Sequence, residues 1–231
     1  MAVIVVSGTG TEIGKTVVTA ALAAVARAQG RTVAVLKPAQ TGVDAGEPGD
    51  ADEVVRLAGE GVAAVELARF PEPLAPATAA RRAGMPPVRP DDIAAAASKL
   101  DAEYDLVLVE GAGGLLVRLD DDGATLADVA RLLDAPVLVV TPAALGTLNW
   151  TALTAEALRA RDIEMLGVVV GSWPAAPGLA ERCNLTDLPV AAAGAPLLGA
   201  VPEGAGALPP TEFRTRAATW LAPLLGGSWR P

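Results

Sequence analysis

Lys15 and Thr16 close the stretch Gly8-Thr9-Gly10-Thr11-Glu12-Ile13-Gly14-Lys15-Thr16, which follows the apolar run AVIVVS. A glycine-containing turn between a strand and a helix points backbone N–H groups inward, where they cradle phosphate oxygens. In that setting the amides running from Glu12 to Val17 meet the phosphates, Lys15 reaches the β- and γ-phosphates, and the Thr16 hydroxyl ligates Mg²⁺. The spacing departs from the common GxxxxGK[ST] pattern: Gly8 lies one residue further out, and Thr9 stands where the first glycine belongs. The implied ligand is a nucleoside triphosphate.

Three further groups suit phosphoryl chemistry. Lys37 follows an apolar run in LKPAQTG, and Pro38 biases it away from helical geometry, so the lysine tops a strand. A compact ammonium there neutralises a transferring phosphoryl group or an anionic intermediate; the alternative is a surface lysine closing a strand. Glu110 ends the apolar run of VLVEGAGGLL, Gly111, Gly113 and Gly114 after it permit close backbone approach, and Glu110, Gly111, Ala112 and Gly113 are read as nucleotide-binding. A lone acid at that place reads as a Mg²⁺ carboxylate. Asp50 and Asp52, in GDADEV, offer either a second metal carboxylate or a helix N-cap. Glu12 lies inside the phosphate loop, where an acid is unfavourable unless a cation or amine offsets it. That points to an amine-bearing substrate.

The elements that must position these groups alternate between short apolar runs and helical stretches, the pattern of a parallel sheet with helices on both faces. Expected strands are Ala2–Ser7, Thr32–Leu36, Leu106–Glu110, Pro136–Thr141, Leu166–Gly171 and Leu198–Val201. Expected helices are Lys15–Gln29, Asp52–Ala58, Pro90–Glu103, Leu126–Leu133, Leu148–Arg161 and Thr211–Ala222. The Gly- and Pro-rich stretch from Thr41 to Pro90 reads as an excursion from the sheet carrying lid or substrate-facing loops. Ser7-Gly8, Lys37, Glu110-Gly111 and Gly171-Ser172 all fall at carboxyl ends of strands, the edge where open α/β sheets bind ligands. The fold class expected is therefore α/β, a P-loop NTPase-type, mostly parallel sheet, with residues 1–231 as one domain.

Composition removes other chemistries. No histidine occurs, which excludes imidazole bases and ligands, and the single cysteine, Cys183, excludes an intrachain disulfide and fits a reducing cytoplasm. A net charge of −9 with scattered basic residues argues against a nucleic-acid surface. No run is long enough to span a membrane, and the first apolar run has no basic flank of the export type. A cytoplasmic protein without nucleic-acid or membrane partners is expected.

GTGTEIGKT, KPAQTG, the Gly49-Asp50 pair, VEGAGG and LGTLN before a helix together resemble the dethiobiotin synthase family over the stretch up to about Val201. The extra residue in the phosphate loop belongs to that family's pattern. The resemblance implies a ligase of biotin biosynthesis that uses Mg²⁺ and ATP to join 7,8-diaminopelargonate to carbon dioxide. In that reading Lys37 holds a carbamate and the transferring phosphoryl group, Lys15 the phosphates, and Thr16, Asp50 and Glu110 the metal. Thr11 and Thr41 contact the substrate's amines or carbamate, Glu12 balances charge there, and Gly146, Thr147, Leu148 and Asn149 bind its carboxylate across a homodimer interface. Many relatives read the adenine edge with an asparagine after the fifth strand, where this chain has Gly171-Ser172. Base recognition then falls to backbone groups and to Val201-Pro202-Glu203, with ATP the default and another triphosphate such as CTP open.

Two rival readings are weaker. Cobyrinate amide synthases carry a further glutaminase domain with Cys and His, for which this chain has no histidine and no spare length. Partitioning and septum-positioning ATPases carry a second lysine early in the loop, where Gly10 stands here.

Overall fold

A computed structural model describes residues 3–231. Ala2, the expected first residue of the leading strand, lies outside them. The elements run β1 (Val3–Gly8), α1 (Lys15–Ala28), β2 (Val33–Thr41), α2 (Asp50–Ala58), β3 (Val62–Phe70), α3 (Pro76–Ala83), α4 (Pro90–Asp101) and β4 (Leu106–Gly114). They continue with α5 (Leu126–Leu132), β5 (Val137–Thr141), α6 (Thr147–Arg159), β6 (Met165–Trp173), α7 (Leu179–Ala191), β7 (Leu197–Pro202) and α8 (Pro210–Arg216).

The strands form one seven-stranded parallel sheet in the order β3-β2-β4-β1-β5-β6-β7. Successive strands leave β1 to either side, so the crevice at its carboxyl end is the topological switch point where such sheets bind ligands. β1, β4 and β5 are buried on both faces, which is why they read as continuous apolar runs. Their side chains alternate between two cores. Val6, Leu108 and Leu138 pack with α1, while Val5, Val107 and Val139 pack with Ile93 of α4 and Val129 of α5. Helix α1 is buried from Val18 through Ala26 on nearly every side, and its alanines let it lie close against the sheet.

The stretch from Thr41 to Pro90 departs from the expectation. It holds β3, an edge strand paired with β2, as well as α2 and α3. An edge strand tolerates polar side chains, so Glu66 and Arg69 interrupt its apolar pattern and hide it in the sequence. Pairing with β3 also extends β2 to Thr41, placing Lys37 within the strand instead of at its end. Pro38 is accommodated because β2 bonds to β4 only as far as Leu36. Helix α7 was also not foreseen, since Pro189 lies inside it. The final expected helix is shorter: α8 stops at Arg216, and the chain folds back so that Trp220 to Ala222 cover the free edge of β7. Ala200 N–H donates to the Trp220 carbonyl at 3.0 Å and Ala222 N–H to that of Leu198 at 2.8 Å.

Candidate active site

A cavity of about 790 Å³ opens at the carboxyl edge of the sheet. The loop from Thr11 to Val17 lines it together with Lys37, Thr41, Asp50, Ala112 and Gly113. Val43 and Pro73–Pro76 close one side, so part of the Thr41–Pro90 stretch does face the site.

The loop's shape depends on Gly14, at φ 91°, where a side chain would meet the Gly171 carbonyl oxygen at 2.4 Å. Lys15 arches back over the turn and donates to the Gly10 carbonyl at 3.0 Å. Glu12 turns the chain through the left-handed region at φ 55°.

Four charged groups converge here from two strands and two helix starts: Lys37 of β2, Glu110 of β4, Lys15 of α1 and Asp50 of α2. Buried Lys37 bridges Glu110 at 2.9 Å and Asp50 at 2.5 Å, and donates to the Gly111 carbonyl at 3.3 Å. Thr16 donates to the same Glu110 oxygen at 3.0 Å. Burial alone would pull the Lys37 ammonium down, but Glu110 and Asp50 outweigh it and hold its pKa above the usual lysine value. Burial pushes the Asp50 carboxyl up, and Lys37, Thr16 and Lys15 more than reverse this, leaving it below the usual aspartate value. Lys15 goes the other way. Burial and then repulsion from Lys37 lower it, and the two carboxylates only partly compensate.

Asp50 and Asp52 differ in their partners. Asp50 is the first residue of α2 and faces Lys37, whereas Asp52 accepts the Gly49 N–H at 2.8 Å as a helix cap. Two residues the sequence did not single out hold this corner. Buried Gln40 accepts the Asp50 N–H through Oε1 at 2.8 Å, and Arg69 of β3 donates to the Asp44 and Glu47 carbonyls in the loop leading to Asp50. The available signal for Gln40 was its place in KPAQTG on a buried strand.

Thr16, Asp50 and Glu110 present the oxygens a Mg²⁺ ion requires. Among the described residues no group of three or more His, Cys, Asp or Glu is placed to hold a metal. Magnesium usually takes one or two carboxylates and completes its shell with phosphate and water, so this donor set suits it. The second carboxylate oxygen of Glu110 is buried without a hydrogen-bond partner, an acceptor that a cation would satisfy.

The expected base-reading residues lie on the other side of the loop. Gly171 is pressed against it: a side chain there would meet the Ile13 carbonyl oxygen at 2.0 Å. Trp173 pairs with Pro202, and its carbonyl accepts the Glu203 N–H at 2.8 Å, stitching the Ser172 and Pro202-Glu203 segments together. Val201 is wholly buried in the core, so it offers no side chain to a ligand.

Gly146, Thr147, Leu148 and Asn149 open α6 and do not line this cavity. The Thr147 side chain points inward, its hydroxyl 2.7 Å from that of Thr141, while Asn149 is exposed.

Comparison with known proteins agrees with this architecture. A family model described as an AAA domain matches residues 2–210. The fold is similar to a ParA family ATPase from Chlorobium tepidum, with a TM-score of 0.58 and 13% identity, covering 93% of this chain and 89% of that one. It is also similar to the MinD cell division protein of Aquifex aeolicus, with a TM-score of 0.56 and 15% identity, covering 94% and 87%. At these identities the likeness is one of fold alone. In sequence the chain is 70% identical to the ATP-dependent dethiobiotin synthetase BioD of Streptomyces avermitilis, covering 99% of this chain and 95% of that one. It is likewise 70% identical to the BioD of Saccharopolyspora erythraea, covering 99% of each. The chain belongs to the ATP-dependent dethiobiotin synthetase family.

Proposed function

We propose that this protein closes the ureido ring of dethiobiotin from 7,8-diaminopelargonate and carbon dioxide at the expense of ATP. Membership of its family makes it an ATP-dependent ligase of biotin biosynthesis. The observation that carries the finer reading is the meeting of Lys15, Thr16, Lys37 and Asp50 around one cavity at the switch point, with buried Glu110 bonded to Thr16 and Lys37 behind them.

One amine of the substrate captures carbon dioxide as a carbamate. A carbamate oxygen attacks the γ-phosphorus and ADP leaves; the second amine then attacks the carbamoyl carbon, and phosphate departs as the ring closes. Such transfers depend on positioning and charge stabilisation, and a histidine-free chain can supply both. The loop amides and Lys15 hold the phosphates. Lys37 holds the carbamate and the phosphoryl group it acquires. Thr11 and Thr41 orient the amines, and Glu12 offsets their charge. Thr16, Asp50 and Glu110 would hold Mg²⁺, which when bound neutralises phosphate charge.

Residues 1–231 act as one domain in this reading, in the cytoplasm, and without a nucleic-acid or membrane partner. No helix among the described residues is long and apolar enough to cross a membrane. The working form is a homodimer in which Gly146, Thr147, Leu148 and Asn149 of one protomer receive the other's substrate carboxylate. A helix N-terminus suits an anion, and the exposed Leu145, Trp150 and Leu153 around it form an apolar surface for a second copy to cover.

Phosphate release from the purified protein with Mg²⁺, bicarbonate and diaminopelargonate, run in parallel with ATP and CTP, tests the reading. Release that requires the diamine and yields dethiobiotin supports it and names the base. Release indifferent to the diamine points to a switch-type ATPase.

A further inference from the structure

Thr9 stands where the phosphate loop commonly has glycine, and neither phosphate binding nor the ring closure explains it. The structure supplies a use for its hydroxyl. Thr9 Oγ1 lies 3.1 Å from Thr141 Oγ1 at the end of β5, and its N–H donates to the Val140 carbonyl at 2.9 Å. Thr141 Oγ1 lies in turn 2.7 Å from Thr147 Oγ1 and 3.2 Å from Thr151 Oγ1. Thr141, Thr147 and Thr151 are all wholly buried.

A hydroxyl carries one proton and two lone pairs, so three partners saturate Thr141. Thr147 and Thr151 are one turn apart on α6 and share its inward face. Two bonds to a single hydroxyl therefore fix both the height and the rotation of this helix start. The third bond runs to the phosphate loop. Valine at position 141 would keep the shape and leave three hydroxyls without their common partner.

We propose that Thr141 is a positioning residue that couples the phosphate loop to the N-terminus of α6, holding the nucleotide and the surface presented by Gly146–Asn149 in register. The substrate side of this coupling rests on the reading above, in which that surface receives the acid end of the diamine. Ordering of the loop by nucleotide steadies Thr9, Thr9 steadies Thr141, and Thr141 steadies the helix start. Thr141 touches no substrate and acts only through its neighbours.

Two measurements test it in the full-length protein. The first needs no substrate: hydrogen exchange at the amides of residues 147–151, with and without a non-hydrolysable ATP analogue. Added analogue should slow exchange there in the wild type and in Thr141→Ser, and leave it unchanged in Thr141→Val. The second is diamine-dependent phosphate release. Thr141→Val should lose about tenfold in kcat while analogue affinity stays within about threefold, and Thr141→Ser should recover most of the loss. A merely structural hydroxyl would lower the melting temperature of Thr141→Val without either signature. The proposal is overturned if the analogue does not slow exchange at α6 in the wild type. It is equally overturned if Thr141→Val responds as the wild type does, or if the serine variant fails as badly as valine. Should the wild type show the exchange coupling but no diamine-dependent release, the substrate assignment falls and the coupling stands.

Discussion

The two halves of the sheet that flank β1 meet the phosphate loop in different ways. On the β4-β2-β3 side the contacts are charged: Lys37, Asp50 and Glu110 form a partly buried ionic cluster with Thr16. On the β5-β6-β7 side they are neutral, made of the backbone of Gly171 against Ile13 and the hydroxyls of Thr9 and Thr141. In the proposed mechanism the division follows the chemistry. Phosphoryl transfer develops charge and needs preorganised counter-charge, whereas holding a base and spacing two sites needs shape and direction. Each half should therefore fail in its own way.

The largest effect is expected from Lys37→Ala. Removing the ammonium that would stabilise the transferring group should cost about a thousandfold in kcat, with nucleotide affinity changed only a few-fold. Single-turnover kinetics beside equilibrium nucleotide binding measure both; near-normal turnover would remove Lys37 from the chemistry. Gly171→Ala attacks the neutral half and should invert the pattern. Its methyl group has no room against the Ile13 carbonyl, so the loop must shift. Overpacking of this kind costs about 1–3 kcal/mol, so nucleotide affinity should fall by about ten- to a hundredfold. Calorimetric titration with an ATP analogue reads it. Unaltered affinity would mean the loop is not braced by β6.

The charged half was the more legible of the two in the sequence, because its signals are local. GKT between a strand and a helix, a lysine on a strand and a lone glutamate after four apolar residues each mark themselves. The strands and the parallel fold were legible for the same reason, buried runs being continuous. What escaped was set by pairing. β3 hid because an edge strand carries Glu66 and Arg69, and with it went the true length of β2 and the clamp that Arg69 places on the approach to Asp50. The Thr9–Thr141 contact joins residues 132 apart, and the four threonines it gathers come from a loop, a strand and a helix that no local pattern links. The resemblance favoured Asp50 over Asp52, and the structure adds that Asp52 accepts the Gly49 N–H at the start of α2.

Gln40→Ala sharpens the charged half without altering its charge. The amide oxygen that fixes the Asp50 N–H is lost, so α2 should begin more loosely while Lys37 and Glu110 stay in place. One such bond is worth about 1 kcal/mol, which predicts a decrease of about fivefold in kcat at saturating Mg²⁺. Lowering Mg²⁺ should widen the gap from the wild type. A gap that does not depend on Mg²⁺ would separate Gln40 from the proposed metal site.

The smallest effect is one of pH, and it follows from Lys15. Burial and Lys37 hold its pKa below the ordinary lysine value in the free protein. Bound phosphates bring negative charge and raise it, so binding is linked to proton uptake. Nucleotide affinity should accordingly hold steady near neutral pH and decline as pH rises through the lowered free-state value, before ordinary lysines titrate. Lys37 does not contribute to this limb, because its own pKa is raised and it stays charged over the same range. Lys15→Met should bind more weakly throughout and lose the alkaline decline, while Thr141→Val, on the neutral half, should keep it. Binding isotherms from about pH 7 to about pH 10 in the three proteins are the check. A decline of equal slope in Lys15→Met would assign the titration to a group outside the loop.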